Sequence, residues 1–492
     1  MFRYHLIAFL SGAVVLVLEV IGARILAPYL GTAYFVWVNI IGVILAALSV
    51  GYWLGGVLAD RNQRMLPFIF LAGAIAVWVI VLLRPLLPYF GALGIRIGSF
   101  VASLVLFAPS SIILGMVSPY IIKLVSRDLG RLGRTSGSIF ASSTMGSIVG
   151  TFATGFWLLP HLALTQIFYG LVFTLCGLAV LSEWKNKIML PAVAALVIWT
   201  LLAVSAPLYA SKRIIFEKNS QYYNIRVHEG AQTDGSAVRT LLLDGSTQSA
   251  RFVAKEGMPY QYIELSAQLI DALKPMPVRA LALGGGGYSI PAHIKKRARA
   301  SEVTVVEIDP EVTRVAERFF LDGQNLGMVT LNEDGRVFLN RNTEQFDVIY
   351  TDAYSGAFAV PAHMATREAF IKIRDALSPD GIAIFNIASA LEGENAALFR
   401  SLWRTFESIF AQKIIFATYL RDPVQPQNII VLAKNTAQPF AEETLAPFAA
   451  SRYKKTPNTW GIPLLIDDFA PTDALVESLV RTIYPALRQY QF

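Results

Sequence analysis

Four consecutive glycines at 284–287 stand between a short apolar run at 278–283 and an amphipathic stretch at 289–299. A second apolar run follows at 303–308 and contains Glu307. This order predicts a strand, a glycine turn, a helix and a second strand. Glycines suit a turn that bends sharply and comes close to a ligand, because no Cβ lies in the way. The stretch therefore predicts a βαβ unit with a ligand site at its turn.

A carboxylate lies where a nucleotide-binding unit places one. Glu307 follows Gly287 by 20 residues, at the end of the second predicted strand. A carboxylate at this place binds ribose hydroxyls, and the helix after the glycines points its positive end at the ligand. The alternative is an ordinary βαβ unit with a glycine-rich turn. The glycines and the carboxylate together favour a nucleoside site.

Predicted strands and helices alternate through the chain after about residue 210. Antiparallel strands are predicted within 222–252, helices at 259–274, 366–377 and 395–410, and further strands at 328–331, 346–350, 382–387, 413–419 and 428–433. This alternation predicts an α/β doubly wound, Rossmann-like sheet with a late antiparallel edge, preceded by a small β-subdomain. Ligands in such a sheet bind at the carboxyl ends of its strands.

Four further carboxylates follow predicted strands or lie in a late loop, and each also has a structural interpretation. Asp334 follows the strand at 328–331 and could instead cap the next helix. Asp352 follows the strand at 346–350 and could be a turn residue. The adjacent pair Asp467 and Asp468 could cap a final helix, and a role over the site is the other interpretation.

Seven apolar runs long enough to span a bilayer fill the first 210 residues: 5–28, 35–58, 66–88, 98–122, 138–160, 163–182 and 188–208. They account for the mean hydropathy of +0.50. They predict a multi-pass α-helical membrane domain. The end of the second run, Gly-Gly-Val-Leu-Ala-Asp-Arg at 55–61, and the basic connection with Lys123, Arg127, Arg131 and Arg134 loosely resemble the first six helices of a major facilitator transporter. Pairs of small residues four apart, Gly51 with Gly55 and Gly146 with Gly150, allow close helix packing.

The net charge and the cysteine content limit which ligands and partners the chain is expected to bind. The net charge is +7, and in a membrane chain this favours basic loops facing anionic lipid over nucleic-acid binding. The one cysteine, Cys176, allows no intrachain disulfide, and metal-ligand spacing of Cys and His is absent. The expected partners are a small-molecule amine or other acceptor and a lipid bilayer, with no nucleic acid and no metal, and a homodimer is left open.

The distribution of basic residues leaves the orientation in conflict. It places the N-terminus in the cytoplasm, so seven crossings would leave the C-terminal domain outside. A nucleoside-using domain is expected inside, where its cofactor is made. Either one segment does not fully cross, with the run at 188–208 as the candidate, or the charge rule misleads, or the domain is external. We expect a multi-pass protein of the bacterial inner membrane with a cytoplasmic soluble domain.

The soluble half resembles the spermidine synthase (polyamine aminopropyltransferase) family, over roughly 215–390. The resemblance rests on the glycine turn with Glu307, on Asp334, on Asp352 and on the Leu-Asp-Gly-Ser-Thr-Gln pattern that ends at Gln248. It is closer still to bacterial membrane proteins in which such a domain follows a transporter-like bundle. The family combines a class I methyltransferase fold with a small β-domain and transfers an aminopropyl group from decarboxylated S-adenosylmethionine to putrescine.

The resemblance implies a division of the chain and a role for each site residue. The domains would be a transmembrane bundle at 1–210, a β-subdomain at 211–256, an S-adenosyl-nucleoside-binding transferase domain at 257–440 and a helical and loop extension at 441–492. Asp352 would be catalytic. The substrate would be bound by Gln248, Tyr260 and Tyr354, and the nucleoside by Gly284, Gly285, Gly286, Gly287, Glu307, Asp309 and Asp334.

Two family carboxylates are replaced in this sequence. The family's glycine loop carries an Asp that binds the donor ammonium, and Gly287 stands there. A second Asp deprotonates the attacking amine, and Ser355 stands in its place, while Tyr223 replaces an early glutamine. A dicationic diamine needs negative charge to offset its desolvation. The losses therefore disfavour putrescine and favour intact S-adenosylmethionine, whose carboxylate suits helix N-terminal amides.

Three hypotheses remain. The leading one is a membrane-bound, spermidine synthase-like transferase that moves an aminopropyl group. The second is an S-adenosylmethionine-dependent methyltransferase, which the two replaced carboxylates favour. The third is a transporter or sensor whose soluble domain binds a nucleoside or polyamine as a regulator. The charged residues Glu19 and Arg24 inside the first apolar run motivate the third, since charges are costly in a membrane.

Overall fold

The computed structural model describes residues 1–30, 33–126, 129–183, 191, 193–198, 200, 214–232, 234–353 and 360–487. Two compact units divide the chain. The first contains the N-terminal helices up to residue 183 and a short segment at 218–221. The second contains residues 212–217 and everything from 222 onward. Tyr354, Ser355 and most of the predicted run at 188–208 lie outside the described residues.

Helices make up most of the described first unit. Their bounds, numbered α1 to α10, are Phe2–Leu30, Tyr34–Arg61, Leu66–Leu83, Leu87–Gly91, Ile95–Leu106, Ala108–Gly115, Val117–Val125, Leu132–Ala153, Leu159–His161 and Leu164–Ser182. The run predicted as one span at 98–122 is divided among α5, α6 and α7. Pro109 lies in the first turn of α6, where its missing amide hydrogen costs no helical hydrogen bond.

Five described segments are long and apolar enough to cross a membrane: Phe2–Leu30, Tyr34–Arg61, Leu66–Gly91, Ala108–Val125 and Leu164–Ser182. The run predicted at 138–160 falls on α8 and the π-helical turn after it, which are not among the five.

Glycines allow the close helix packing that the sequence predicts. A Cβ at Gly146 of α8 would lie 1.8 Å from the carbonyl oxygen of Phe9 in α1. A Cβ at Gly51 of α2 would lie 2.2 Å from that of Ile112 in α6. Any larger residue would force these helices apart, so the prediction that small residues permit close contact is confirmed.

The second unit begins with a four-stranded sheet in the order β1-β2-β3-β4. Its strands are Ile214–Asn219, Asn224–Ala231, Ala237–Leu243 and Ser246–Phe252. A two-residue turn joins β3 to β4, and both of its residues, Asp244 and Gly245, have positive φ, as the tight hairpin turn requires. The Asp-Gly pair therefore fixes the position of Gln248 two residues into β4.

An eight-stranded sheet in the order β12-β10-β11-β9-β8-β5-β6-β7 follows. Strands β5 to β12 are Arg279–Leu283, Glu302–Val306, Val329–Leu331, Phe346–Thr351, Leu377–Ser389, Gln412–Ala417, Gln427–Lys434 and Arg452–Tyr453. β5 to β9 pair in parallel, and β11 runs antiparallel to β9 and β10. The doubly wound sheet with a late antiparallel edge is confirmed, whereas β1, β12 and the full length of β9 were not predicted.

Helices cover both faces of this sheet. Those numbered α11 to α19 are Gln261–Leu273, Ser289–Arg297, Pro310–Phe319, Gly335–Arg341, Arg367–Asp375, Ala397–Glu407, Glu442–Leu445, Thr472–Leu475 and Glu477–Leu487. Alternate residues of β5 point to opposite faces, so Ala280 and Ala282 pack with α11 and α12, while Leu281 and Leu283 pack towards α15 and α16. β5 lies between β6 and β8, where the strand order reverses, and ligands bind at this point in such sheets.

Candidate active site

The glycine turn closes over the carboxyl end of β5. Gly284 and Gly286 have φ values of +96° and +48°, which a residue with a Cβ rarely adopts. A Cβ at Gly284 would lie 2.5 Å from the carbonyl oxygen of Asp352, and one at Gly285 would lie 2.6 Å from the ring of Tyr288. The tight turn predicted from the four glycines is therefore what the structure shows.

Glu307 ties the end of β6 to this turn. One oxygen of its buried carboxylate accepts hydrogen bonds from the amides of Gly285 at 2.8 Å and Gly286 at 3.2 Å. The other oxygen accepts from the amide of Asp309 at 3.0 Å. Burial raises the pKa of Glu307, and these three amides oppose the rise. These hydrogen bonds thus join Glu307 to the glycine turn, which ends 20 residues before it in the sequence.

Asp352 lies next to the glycine turn, just after β8, and its backbone amide donates to the carbonyl of Leu283 at 3.0 Å. Its side chain accepts hydrogen bonds from the amide of Asn386 at 2.8 Å and from the hydroxyl of Tyr350 at 3.1 Å. Asn428 in turn donates to Asn386 at 3.0 Å. Burial raises the pKa of Asp352 to about 6, and the hydrogen bonds from Asn386 and Tyr350 oppose that rise. A carboxylate with this pKa is ionised at neutral pH and can accept a proton.

Sequence reasoning did not identify Asn386 and Asn428. Both stand in strands predicted from their apolar neighbours, in the runs Ile-Phe-Asn-Ile and Gln-Asn-Ile-Ile. A lone amide in a buried strand was the available signal, since such a group must find a hydrogen-bond partner.

A cavity of about 390 Å³ is lined by both the glycine turn and Asp352. It is lined by Thr247, Gln248, Ser249, Pro259, Tyr260, Gln261, Tyr262, Ile263, Gly284, Gly285, Gly286, Gly287, Ser289, Ile290, Pro291, Tyr350, Asp352, Asn386, Ala388, Thr418 and Asn428. The structure therefore brings together seven of the predicted site residues: the four glycines, Gln248, Tyr260 and Asp352. Tyr354 lies outside the described residues.

Asp309 and Asp334 cap helices. The buried carboxylate of Asp309 accepts from the amide of Glu311 at 2.9 Å, at the start of α13. Asp334 accepts from the amides of Arg336 at 2.8 Å and Val337 at 3.1 Å, and its other oxygen lies 2.9 Å from Nε2 of His363. The capping interpretation of Asp334 is thus confirmed, and the nucleoside contacts of both residues stay predictions.

Asp467 contacts Arg336 and Thr366 instead of capping a helix. Its carboxylate accepts from a guanidinium nitrogen of Arg336 at 2.6 Å and from the hydroxyl of Thr366 at 2.6 Å. The next helix, α18, has Pro471 at its cap position, so the capping interpretation of Asp467 is wrong. Because Arg336 follows Asp334 by two residues, this contact ties the C-terminal segment to the end of β7.

We expect Asp467→Asn to weaken nucleoside binding about 3- to 10-fold and to lower the melting temperature by a few degrees, since removing the charge weakens a partly exposed ion pair with Arg336. Calorimetric titration with methylthioadenosine and a thermal scan would measure both. Asp468→Asn, at the exposed neighbouring position, is the matched control. Equal affinities for the two variants would show that Asp467 does not support the nucleoside site that the sequence predicts.

The sequence model of the spermine/spermidine synthase domain matches residues 261–442. A polyamine aminopropyltransferase of Pyrococcus abyssi is 30% identical over 213 residues, which are 41% of this chain and 72% of that protein. This chain belongs to the spermine/spermidine synthase family. A second relative, the polyamine aminopropyltransferase of Vibrio vulnificus, is 29% identical over 184 residues, 37% of this chain and 57% of the relative.

The chain thus covers less than two thirds of the length of the Vibrio vulnificus family member. A crystal structure of a probable spermidine synthase from Corynebacterium glutamicum is also similar, at 19% identity and a TM-score of 0.41, over 53% of this chain and 90% of that protein.

In this chain, the side chain of Ser249 occupies the space next to Gly287. A Cβ at Gly287 would lie 2.3 Å from Oγ of Ser249 and 2.7 Å from its Cβ. Ser249 is buried on β4, and its hydroxyl lies 3.2 Å from that of Ser289. A side chain at 287, such as the aspartate that the family resemblance leads one to expect, fits only if Ser249 moves. No sequence pattern predicts this pairing, because it joins β4 to the turn at the start of α12, two separate elements.

Proposed function

We propose that this protein is a membrane-bound transferase that moves an aminopropyl group from decarboxylated S-adenosylmethionine to an amine. Family membership supports the reaction class, and five apolar helices support the membrane location. The observation that carries the proposal is the buried Asp352, with a raised pKa, in the same cavity as a glycine turn bound to Glu307.

The nucleoside would occupy the crevice at the ends of β5 and β6. The glycine turn lets the ligand approach the backbone closely, and Glu307 would accept hydrogen bonds from the ribose hydroxyls beside those it accepts from the turn. Asp334, at the end of β7, would lie on the adenine side. Gln248 and Tyr260, which line the cavity, would contact the acceptor.

The reaction would be an in-line displacement at a carbon bonded to sulfonium. The acceptor nitrogen forms a bond to the first carbon of the aminopropyl group while the bond from that carbon to sulfur breaks. The electron pair of the broken bond stays on sulfur, and neutral methylthioadenosine leaves. Asp352 would take the proton of the amine. Since the leaving group is already activated, positioning supplies much of the rate.

The test is to identify the nucleoside product. The full-length protein, purified in detergent, would be incubated with an amine and decarboxylated S-adenosylmethionine, or with the same amine and S-adenosylmethionine. Mass spectrometry would then quantify the nucleoside released. We expect methylthioadenosine from the decarboxylated donor. Release of S-adenosylhomocysteine from the intact donor, without methylthioadenosine from the other, would replace this proposal with methyl transfer.

Methyl transfer is the second candidate, and the pairing of Gly287 with Ser249 favours it. At this end of the cavity the neutral hydroxyls of Ser249 and Ser289 stand where a carboxylate would bind an ammonium group. Such surroundings tolerate a donor that retains its carboxylate better than a carboxylate-lined site would, because like charges repel.

Restoring the loop carboxylate would test this interpretation. We expect Gly287→Asp alone to weaken the binding of both donors, because the new Cβ would collide with the side chain of Ser249. Adding Ser249→Gly removes the obstructing side chain, and the double variant is expected to favour the decarboxylated donor about 10-fold more than the unaltered protein does. Calorimetric affinities for both donors would measure the change. An unchanged ratio would show that position 287 does not contact the donor tail.

A further inference from the structure

The cavity beside Asp352 is polar but carries little charge. Among the described lining residues, Asp352 is the one carboxylic acid, and Lys, Arg and His are absent. The other polar side chains on the wall are amides and hydroxyls, including Gln248, Gln261, Asn386, Asn428, Tyr260 and Thr418. The cavity can therefore offer many hydrogen bonds but one full negative charge.

The acids other than Asp352 that lie closest to the glycine turn in this fold are not among the described residues that line the cavity. Glu307 is bound to the amides of the glycine turn, and Asp309 caps α13. A second carboxylate is thus absent from the described wall of the cavity.

The single negative charge of the cavity limits the number of cationic groups that the acceptor can carry. An ammonium group that leaves water needs a carboxylate, because neutral amides offset little of its desolvation cost. Asp352 can serve one amine, the nucleophile whose proton it takes. The second ammonium of a diamine would face neutral groups. A donor that brings an ammonium of its own would leave still less negative charge for a second cationic group on the acceptor.

We propose that the acceptor is an amine with a single cationic group, whose far end is neutral and hydrogen-bonding. This inference rests on the proposed function, since it names the acceptor class for the same cavity. The amides of Gln248, Gln261 and Asn428 both donate and accept hydrogen bonds, and so suit a hydroxyl or amide at that end.

Two acceptors of equal length separate the alternatives. 4-Amino-1-butanol and 1,4-diaminobutane differ in one end group, a hydroxyl against an ammonium. Calorimetric titration of each into the full-length protein would be run with and without saturating methylthioadenosine. We expect the amino alcohol to bind about 10-fold more tightly or better. Equal or tighter binding of the diamine would overturn the inference, and so would binding of neither amine.

A charge added to the cavity wall should reverse the preference. Gln261 lies at the exposed start of α11, where a carboxylate also suits the helix dipole, so Gln261→Glu is expected to fold normally. We expect this variant to bind the diamine about 3- to 10-fold more tightly. Gln268→Glu, an exposed position on the same helix outside the cavity lining, is the matched control and should not change the affinity.

Different results would contradict the proposed function and the acceptor inference. Methylthioadenosine binding reports on the proposed nucleoside site, and the titrations without nucleoside report on the amine preference. If methylthioadenosine binds and the diamine is preferred, the proposed function stands and the acceptor inference is wrong. If methylthioadenosine does not bind, the proposed function fails, and the acceptor inference, which rests on it, fails with it.

Discussion

Asp352→Asn is expected to lower kcat about 10²- to 10⁴-fold while the affinity for methylthioadenosine changes little. The amide is the same size as the carboxylate and can keep a hydrogen bond to Tyr350 or Asn386, but it cannot take a proton from the amine. Single-turnover rates and calorimetric affinities would separate the two effects. An unchanged kcat would show that another group deprotonates the acceptor.

The pH dependence provides an independent check of the same residue. The base must be ionised, and the pKa of Asp352 is about 6, so kcat is expected to fall as pH drops through about 6. Tyr350 donates to Asp352 and thereby lowers its pKa. Tyr350→Phe should therefore move the acid limb to higher pH while much of the plateau rate remains. An acid limb that stays at the same pH in this variant would show that Asp352 is not the group whose ionisation produces it.

Glu307→Ala is expected to weaken methylthioadenosine binding about 10- to 100-fold or more, since hydrogen bonds to a charged group contribute about 1.5–3 kcal/mol. The loss combines the proposed ribose contacts with the support that Glu307 gives to Gly285 and Gly286. Calorimetry would give the affinity, and a thermal scan would show how far the turn is destabilised.

Glu302→Ala is the matched control for this change, because Glu302 begins the same strand, β6, and pairs at the surface with Arg279. It should leave the nucleoside affinity unchanged. Equal losses in both variants would attribute the effect of Glu307→Ala to general destabilisation of β6, and unaltered binding in both would remove the ribose assignment.

The sequence was sufficient to predict the parts of this molecule that depend on local pattern. Strand periodicity placed β5, β6, β8 and the antiparallel edge, and the glycines located the turn at the point where the strand order reverses. Glu307 could be placed because its separation from the glycines is set by the length of one helix and one strand. These features need no knowledge of distant contacts.

Contacts between separate elements could not be predicted in this way. Ser249 occupies the space beside Gly287 because the β3–β4 hairpin packs against the glycine turn, and no spacing rule connects the two. The contact of Asp467 with Arg336 joins residues 131 positions apart. The amides of Asn386 and Asn428 meet only because β9 and β11 are neighbours in the sheet, although their strands are distant in sequence.

The most direct test of the account is calorimetric titration of the full-length protein with methylthioadenosine, decarboxylated S-adenosylmethionine and S-adenosylmethionine, side by side. We expect methylthioadenosine and the decarboxylated donor to bind, each with one site per chain and each weakened by Glu307→Ala. A marked preference for intact S-adenosylmethionine would turn the account towards methyl transfer. Binding of none of the three would contradict its central claim, that the crevice between the glycine turn and Asp352 holds an S-adenosyl nucleoside.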